Sequence, residues 1–233
     1  MFTEPETVMD ELDKYIQENR YSKHSFVRTL ESGEYTEAGL RAWAVQKYFQ
    51  TREQNCVYAA VHFNARPYRD IRTYEVGQLV DEETAQGEGS EPHYALIKRL
   101  SDKLGATEED YRDANIGHGV TRFVEYLLNL AHREHPVIGM MGSYINENQT
   151  PVAARKMYDA LKRNHGFDDH VLEWFTVHAE ADVEHASQAR TLIIEHAVDV
   201  PDFPDRARLT VERGITEWQA LQDFYHGVVA YAA

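Results

Sequence analysis

Apolar residues recur at helical spacing along almost the whole chain. In the N-terminal segment such positions are Val8, Met9, Leu12 and Ile16. Steps of three and four residues keep side chains on one face of an α-helix, so this segment predicts a first helix from Pro5 to Asn19. No segment alternates apolar and polar residues with the period of two that a half-buried strand requires. The pattern therefore predicts an all-α protein.

Glycine, proline and capping residues divide the remaining pattern into further helices, which brings the total to about eight to ten. The predicted segments are 23–32, 36–66, 69–84, 91–104, 117–133, 136–150, 151–163, 168–198 and 205–230. Because proline cannot donate the hydrogen bond that continues a helix, Pro151 is expected to end one of them. Short connections, with no internal repeat or linker, predict one compact helical bundle as a single domain over residues 1–233.

The helix predicted over 69–84 has two features of interest. Its apolar positions, which are expected to face the core, are Ile71, Tyr74, Val76, Leu79 and Val80. It also ends in three acids, Asp81, Glu82 and Glu83. Acidic side chains are unfavourable at a helix C-terminus, where the helix dipole is negative. A bound cation would explain them.

The charge of the chain restricts its partners. It has 39 acidic and 24 basic residues and a formal net charge of −15. Nucleic acids and anionic membranes are bound through an excess of Lys and Arg, so neither is expected as a partner. No apolar run approaches the roughly 20 residues that span a bilayer. These features favour small molecules or neutral proteins as partners.

The number of cysteines and the N-terminal sequence indicate the cellular compartment in which the protein is expected. The chain has one cysteine, Cys56, so an intrachain disulfide and a cysteine-based zinc site are both excluded. We expect Cys56 to be a small buried residue. The N-terminal residues lack the basic and apolar regions of a signal peptide. A reduced, cytoplasmic location is therefore expected.

The most informative stretch is the octet from His178 to His185, within the helix predicted over 168–198. An α-helix turns by about 100° per residue, so His178, Asp182 and His185 point in directions of about 0°, 40° and 340°. Two imidazoles and a carboxylate thus converge on one narrow stripe. Such a stripe is either half of a metal site or a solvated charged face with pairing along the helix.

Other helices offer the second half of a metal site. Glu82 lies in the acidic helix end, His93 lies in the first turn of the next helix, and Glu147 lies in a small apolar segment that is expected to be central. Taken singly, Glu82 and His93 would be ordinary surface residues. Together with the octet they make three histidines and three carboxylates. A nitrogen and oxygen set without sulfur suits iron or manganese better than a structural zinc ion.

These motifs resemble those of the haem-oxygenase-like di-iron oxidases and oxygenases. That family is related to pyrroloquinoline-quinone synthase C, thiaminase II and the p-aminobenzoate synthases of the chlamydia-protein-associating-with-death-domains type. The resemblance covers about residues 23–198. It implies a haem-oxygenase-like helical bundle, a homodimer and a centre of two iron ions, with manganese as a possible replacement. The six ligands that it implies are Glu82, His93, Glu147, His178, Asp182 and His185.

The resemblance also implies a function. It indicates an enzyme that uses O₂ as co-substrate and oxidises a small polar metabolite, such as an amine or amino acid, by desaturation, N-oxygenation or C–C cleavage. Some N-oxygenating members place an additional carboxylate near the position of Glu53. Glu53 is therefore a candidate catalytic residue, although one acid on a long helix is more commonly a hydrogen-bonded polar side chain.

The sequence also departs from individual members of the family. In the p-aminobenzoate synthases, tyrosines and a lysine near the metals are thought to be consumed or to assist. The aligned positions here hold Val27, Trp43, Asn146 and Met157. Thiaminase II requires a cysteine that the segment 142–144 lacks. Self-sacrificing synthesis and thiaminase activity are therefore not expected from these positions.

Two other functions remain open. One is a metal-independent oxidase of the quinone-synthase type, in which His178 would be dispensable. The other is a non-catalytic helical binding protein that metal ions merely stabilise. A structural metal site is coordinatively closed, whereas a catalytic one keeps a position for substrate or O₂.

Overall fold

The computed structural model describes residues 4–232, apart from the side chains of residues 181–183. Within this part of the chain there are nine α-helices and no β-strand, which confirms the all-α prediction. The helices are α1 (Pro5–Asn19), α2 (Ser25–Ser32), α3 (Glu37–Asn64), α4 (Arg69–Glu83), α5 (His93–Lys103), α6 (His118–Arg133), α7 (Pro136–His165), α8 (Glu173–His196) and α9 (Phe203–Tyr231). Short 3₁₀ turns lie at Tyr21–Lys23, Asp113–Asn115 and Ala197–Asp199.

Local capping explains several helix ends. The Thr36 hydroxyl accepts a hydrogen bond from the amide of Gly39 at 3.1 Å and so begins α3. Gly33 ends α2 and Gly166 ends α7, with φ angles of 74° and 70° that favour glycine. The sequence predicted helix boundaries at these residues. The observed end of α2 agrees with the prediction, and α7 ends at His165, two residues later than predicted.

The predicted break at Pro151 is wrong, because α7 continues through this residue to His165. Pro151 has no amide hydrogen for the carbonyl of Glu147, and a proline inside a helix costs about 3 kcal/mol. Tertiary packing offsets that cost. Buried side chains occur along most of α7, and α7 forms a helical hairpin with α8. Packing thus outweighs the local signal.

The start of α8 also differs from the prediction. The helix was expected from Asp168 but begins at Glu173. The Asp168 carboxylate accepts a hydrogen bond from the amide of Val171 at 3.0 Å, and its carbonyl accepts one from the amide of Leu172 at 3.1 Å. Asp168 therefore caps a separate turn that precedes the helix.

The inward face of α4 carries two polar residues beside Ile71 and Tyr74. Glu75 and Gln78 are buried, whereas Val76 and Val80 are 48% and 37% exposed. The expectation that these two valines face the core is therefore wrong. Because α4 packs against α3, α5 and α8, its buried polar residues lie among the other helices that carry candidate ligands.

Buried apolar side chains from all nine helices of the described chain form one continuous cluster. Trp43, Phe26, Phe123 and Phe175 are among its largest members. Cys56 does not belong to it, and the prediction that Cys56 is buried is wrong because this residue lies on the exposed side of α3. Among the described residues, no helix is both long and apolar enough to cross a membrane.

Close helix contact makes Gly39 a sensitive position. A Cβ atom there would lie 2.6 Å from Val229 Cγ1 and 2.8 Å from the Val229 carbonyl oxygen on α9. We expect Gly39→Ala to lower the free energy of unfolding by about 1–3 kcal/mol through overpacking. Gly227→Ala on the same α9 has nothing within 4 Å of the added Cβ and is expected to be neutral or stabilising. Urea unfolding of both variants tests this, and equal effects would contradict it.

Candidate metal centre

Three helices bring Glu82, His93 and His178 together. Glu82 lies near the end of α4, His93 begins α5, and His178 lies in α8. One potential ligand atom from each residue lies within 4.8 Å of the other two. His93 Nδ1 is 3.1 Å from Glu82 Oε2, and His178 Nε2 is 3.9 Å from Glu82 Oε1. Both imidazoles are buried, so the three groups form an enclosed site.

Hydrogen bonds fix which nitrogen of His93 faces this site. Its Nε2 lies 3.0 Å from the carbonyl oxygen of Glu88, and since a carbonyl can only accept, Nε2 is the donor. Nδ1 faces Glu82 and makes no hydrogen bond. A metal-binding histidine commonly donates its other ring nitrogen to a backbone carbonyl in this way.

A hydrogen bond to a backbone carbonyl also orients His178. Its Nδ1 lies 2.8 Å from the carbonyl oxygen of Trp174, one turn earlier in α8. The imidazole also stacks on the Trp174 ring, with centroids 4.0 Å apart. Nε2 is therefore the nitrogen directed towards Glu82. His93 and His178 thus both present one nitrogen to the same carboxylate.

The charges of this cluster are strongly coupled. Burial opposes ionisation of Glu82, but His93 and His178 hold the pKa of its carboxyl well below the ordinary value. Burial also opposes protonation of His93, yet the charge of Glu82 outweighs it and raises the pKa of His93 to about 9. For His178, burial dominates and lowers the pKa to about 4. Without a metal, the site therefore holds one carboxylate, one imidazolium and one neutral imidazole near pH 7.

Glu147 and His185 form a neighbouring group. Glu147 is 2% exposed, and its Oε2 accepts a hydrogen bond from the Tyr74 hydroxyl at 3.1 Å. Its other oxygen, Oε1, has no partner. Burial raises the pKa of Glu147 to about 7, against the opposing charge of His185. His185 Nε2 lies 3.4 Å from Asp81 Oδ2.

The structure brings some of the predicted site residues together and leaves others apart. Glu82, His93 and His178 meet in one cluster, and Glu147 interacts electrostatically with both Glu82 and His185. The predicted burial of Glu147 is confirmed. The side chain of Asp182 lies outside the described residues.

The structure does not bring Glu53 into this cluster. Its carboxylate is 2.6 Å from the guanidinium of Arg52, which also binds Asp113 at 2.7 Å. The side chain of Glu53 is 38% exposed. This geometry matches the alternative that Glu53 is a hydrogen-bonded polar residue on a long helix.

Sequence reasoning missed Glu75 and Tyr74. Glu75 is fully buried, and neither of its carboxylate oxygens has a hydrogen-bond partner. The available signal was its spacing, because Glu75 precedes Glu82 by seven residues and therefore lies on the same face of α4. Tyr74 gave no such signal, since a tyrosine at an apolar position is usually a core residue.

Two spaces adjoin the site. A narrow polar cavity next to Glu82 and His178 has a free volume of about 10 Å³, close to that of a single water. Its other lining residues are Lys47, Gln50, Thr51, Gln54, Asn55, Asn146, Thr150 and Trp174. A second space, an open cleft of about 580 Å³, is lined by Tyr74, Asp81 and His185 among others. The candidate ligands thus line both a narrow polar cavity and a wider, more open cleft.

The donor set fits divalent iron or manganese. Glu147 Oε1 and both oxygens of Glu75 are buried polar atoms without hydrogen-bond partners, and His93 Nδ1 has the Glu82 carboxylate beside it. Leaving such groups unpaired is costly, and buried carboxylates repel one another unless a cation compensates them. Imidazole and carboxylate ligands without sulfur are typical of iron and manganese sites.

The loop between α4 and α5 supports His93. The amide of Glu88 donates to Asp81 Oδ1 at 3.2 Å, and the Glu88 carbonyl accepts from His93. A Cβ atom on Gly87 would lie 2.6 Å from the Cα of Asp81. We expect Gly87→Ala to displace this loop and to weaken metal binding by about 10- to 100-fold, the usual effect of losing a partner of a ligand. Metal titration with circular dichroism tests this, and unchanged affinity would contradict it.

Solved structures with the same fold include proteins from several lineages. A CADD-like protein of unknown function from Nostoc punctiforme has a TM-score of 0.77 at 14% identity, over 97% of this chain and 98% of that one. A TenA homologue from P. horikoshii has a TM-score of 0.72 at 17% identity, over 94% and 97%. A domain from Shewanella denitrificans, described as having a heme oxygenase-like fold, has a TM-score of 0.76 at 14% identity, over 97% and 94%. The predicted haem-oxygenase-like fold is thereby confirmed.

Sequence relatives have a named activity. The 4-aminobenzoate synthase of Nitrosomonas europaea is 28% identical over 231 residues, which cover 95% of this chain and 91% of the relative. The 4-aminobenzoate synthase of Chlamydia pneumoniae is 26% identical over 182 residues, which cover 78% and 79%.

A family model described as an iron-containing redox enzyme matches residues 41–216. This match includes all six of the ligands that the resemblance implied. The chain therefore belongs to the family of iron-containing redox enzymes with a haem-oxygenase-like fold.

Proposed function

We propose that this protein is a non-haem di-iron oxidase or oxygenase that uses O₂ to oxidise a small polar metabolite such as an amine or amino acid. The observation that carries the proposal is the buried cluster of Glu82, His93 and His178, with Glu147 and His185 beside it. Membership of a family of iron-containing redox enzymes supports an oxidoreductase. Manganese could replace iron in the same donor set.

The residues of the chain would divide into two groups around the metals. His93, His178 and Glu82 would hold one ion, and Glu147, His185 and Asp182 would hold the other or bridge the two. Bound ferrous iron would supply the electrons that reduce O₂. The Trp174 and Glu88 carbonyls fix the tautomer of each neutral imidazole, so that the nitrogen facing Glu82 is the one that would bind a metal.

The cavity beside Glu82 and His178 supports a polar substrate. Its walls carry amide and hydroxyl groups from α3 and α7, together with the ammonium of Lys47. Lys47 donates a hydrogen bond to Gln50 at 2.5 Å and lies over the Trp174 ring at 4.3 Å. Such groups suit a ligand with hydrogen-bonding atoms and a negative charge. Since the cavity has room for about one water, substrate entry would require these side chains to move.

The test is O₂ uptake by protein loaded anaerobically with ferrous iron, in the presence of a panel of amines and amino acids. We expect at least one compound to accelerate O₂ uptake and to appear as an oxidised product by mass spectrometry. If iron-loaded protein neither consumes O₂ nor changes its absorbance with any compound, the proposal fails. Zinc-loaded protein is the control, because zinc has no redox chemistry.

Formation of 4-aminobenzoate is a second candidate. It is favoured by the names of the relatives and by Tyr74, whose hydroxyl contacts Glu147. The residues Val27, Trp43, Asn146 and Met157 argue against it, because they stand at positions of reactive residues in the synthases that the chain resembles.

Isotope labelling distinguishes the two candidates. Protein grown with ring-labelled tyrosine is loaded with iron and exposed to O₂ without added substrate. The second candidate predicts labelled 4-aminobenzoate in amounts no larger than the protein itself, and Tyr74→Phe is expected to abolish it if Tyr74 is the source. Absence of labelled product favours oxidation of an external metabolite.

A further inference from the structure

Glu75 is a buried acid without an assigned role. It lies in the middle of α4, is 0% exposed, and has no hydrogen-bond partner at either carboxylate oxygen. Burying a carboxylate in this way costs several kcal/mol unless a cation, a donor or a proton compensates it. A residue that served only packing would be better as an apolar side chain such as leucine. The position therefore requires a chemical reason.

The surroundings of Glu75 connect it with the metal site. It lies two turns before Glu82 on the same face of α4. The charged group that interacts with it is Glu147, another buried carboxylate, and that interaction is repulsive. Burial and Glu147 together raise the pKa of Glu75 well above its ordinary value. The preceding residue, Tyr74, donates a hydrogen bond from its hydroxyl to Glu147.

Three carboxylate oxygens are thus unpartnered in one buried region. They are both oxygens of Glu75 and Oε1 of Glu147. Tyr74 satisfies only the remaining oxygen of Glu147. A divalent cation satisfies several carboxylate oxygens at once and removes the repulsion between their charges.

We propose that Glu75 is an additional carboxylate ligand of the second metal ion, which it would share with Glu147 and His185. The proposal rests on the proposed function and extends its ligand set beyond the six residues that the resemblance implied. It also accounts for the burial of Glu75 on a helix whose Val76 is exposed.

The balance of charge favours this assignment. Glu82, Glu147 and Asp182 would leave a pair of divalent ions with one uncompensated positive charge. Ionised Glu75 would make the pair and its ligands neutral. A neutral centre is easier to bury in a medium of low dielectric constant than a charged one. Without metal, the same carboxyl would instead hold a proton.

The experiment is an anaerobic titration with Mn(II), in which the six-line electron paramagnetic resonance signal measures the free ion. The variants are Glu75→Gln, which removes the charge at constant shape, and Glu75→Asp, which keeps the charge but shortens the side chain. Glu125→Gln, at an exposed position of α6, is the matched control. Urea unfolding of the metal-free proteins shows that each variant folds.

We expect wild-type protein and Glu125→Gln to bind two Mn(II) ions per chain. Glu75→Gln should bind the first ion with unchanged affinity and the second at least about tenfold more weakly, with a smaller loss in Glu75→Asp. Metal-free Glu75→Gln should unfold at about the same urea concentration as wild type, because Glu75 makes no hydrogen bond and a protonated carboxyl is replaced by a neutral amide of the same shape.

The possible failures are distinguishable. If folded Glu75→Gln binds both ions with wild-type affinity, or loses both equally, Glu75 is not a ligand of the second ion and the proposed function is untouched. If wild-type protein binds fewer than two ions, the di-metal function fails and this assignment fails with it.

Discussion

The His178→Ala variant is expected to retain at most one iron per chain. Its rate of O₂ uptake should be at least about 100-fold lower than that of the wild type. His178 is 4% exposed, and burial lowers its pKa to about 4, so its imidazole is neutral and ready to bind a metal at pH 7. Its Nε2 faces Glu82, and no other described histidine except His93 reaches this cluster. Losing a partner of a ligand already costs about 10- to 100-fold in affinity, so losing a ligand should cost at least as much.

His132→Ala is the matched control, because His132 is exposed on α6. Iron is measured by mass spectrometry after anaerobic reconstitution, and O₂ uptake is measured with an electrode. His132→Ala should keep the iron and the activity of the wild type. If His178→Ala keeps full activity, the metal-independent alternative is correct. If it loses iron while wild-type protein also consumes no O₂, the metal serves only stability.

Raising the pH from 7 to 9 is expected to strengthen binding of the first metal ion by up to about 100-fold. His93 must lose its proton before Nδ1 can bind a metal, and the charge of Glu82 raises the pKa of His93 to about 9. Below that pH, each added unit increases the deprotonated fraction about tenfold. Affinity should level off above pH 9. Glu147, with a pKa of about 7, adds a weaker dependence of the same sign.

The metal-free protein should respond to pH in the opposite direction. The raised pKa of His93 means that its pair with Glu82 stabilises the fold fully below the ordinary value of 6.5. That contribution is lost as pH rises towards 9. Mn(II) titrations under argon between pH 6.5 and 9 measure the affinity, and urea unfolding without metal measures the stability. Affinity that is constant or falls with pH would contradict this assignment of protons.

Much of the fold follows from local signals. The spacing of Val8, Met9, Leu12 and Ile16 gave α1 with the observed bounds, Pro5–Asn19. Gly33 and Gly166 marked helix ends because they adopt a backbone conformation that disfavours other residues. The errors at Pro151 and Asp168 have a different origin. Whether a helix survives a proline, or starts one turn later, depends on packing with α8 and on side-chain caps that periodicity does not encode.

For the candidate site too, local spacing predicts one part and helix packing determines the rest. His178 and His185 were predicted from spacing within one helix, and their geometry follows from the helical repeat. The meeting of Glu82 with His93 and His178 depends on how α4, α5 and α8 pack, so the chain pattern alone could not give it. The sequence offered Glu82 and His93 as candidate ligands from their residue types and positions, and the resemblance to a family then implied that they join His178 in one site.

Glu75 shows why sequence reasoning missed part of the site. In an amphipathic helix valines normally face the core and acids face solvent. In α4 the opposite holds, because Val76 is exposed and Glu75 is buried. Local rules are expected to fail where a protein builds a functional site. A buried acid is therefore more informative here than any apolar position of the same helix. The expected homodimer and the ligand role of Asp182 remain predictions.

The central claim is that the chain binds two iron ions that react with O₂. Its most direct test is the iron content of protein purified anaerobically from iron-supplemented cells, followed by stopped-flow absorbance on mixing with O₂. We expect about two iron ions per chain and a transient visible absorbance. The claim would be contradicted by protein that holds no iron and whose helical content and thermal stability do not change when ferrous iron is added.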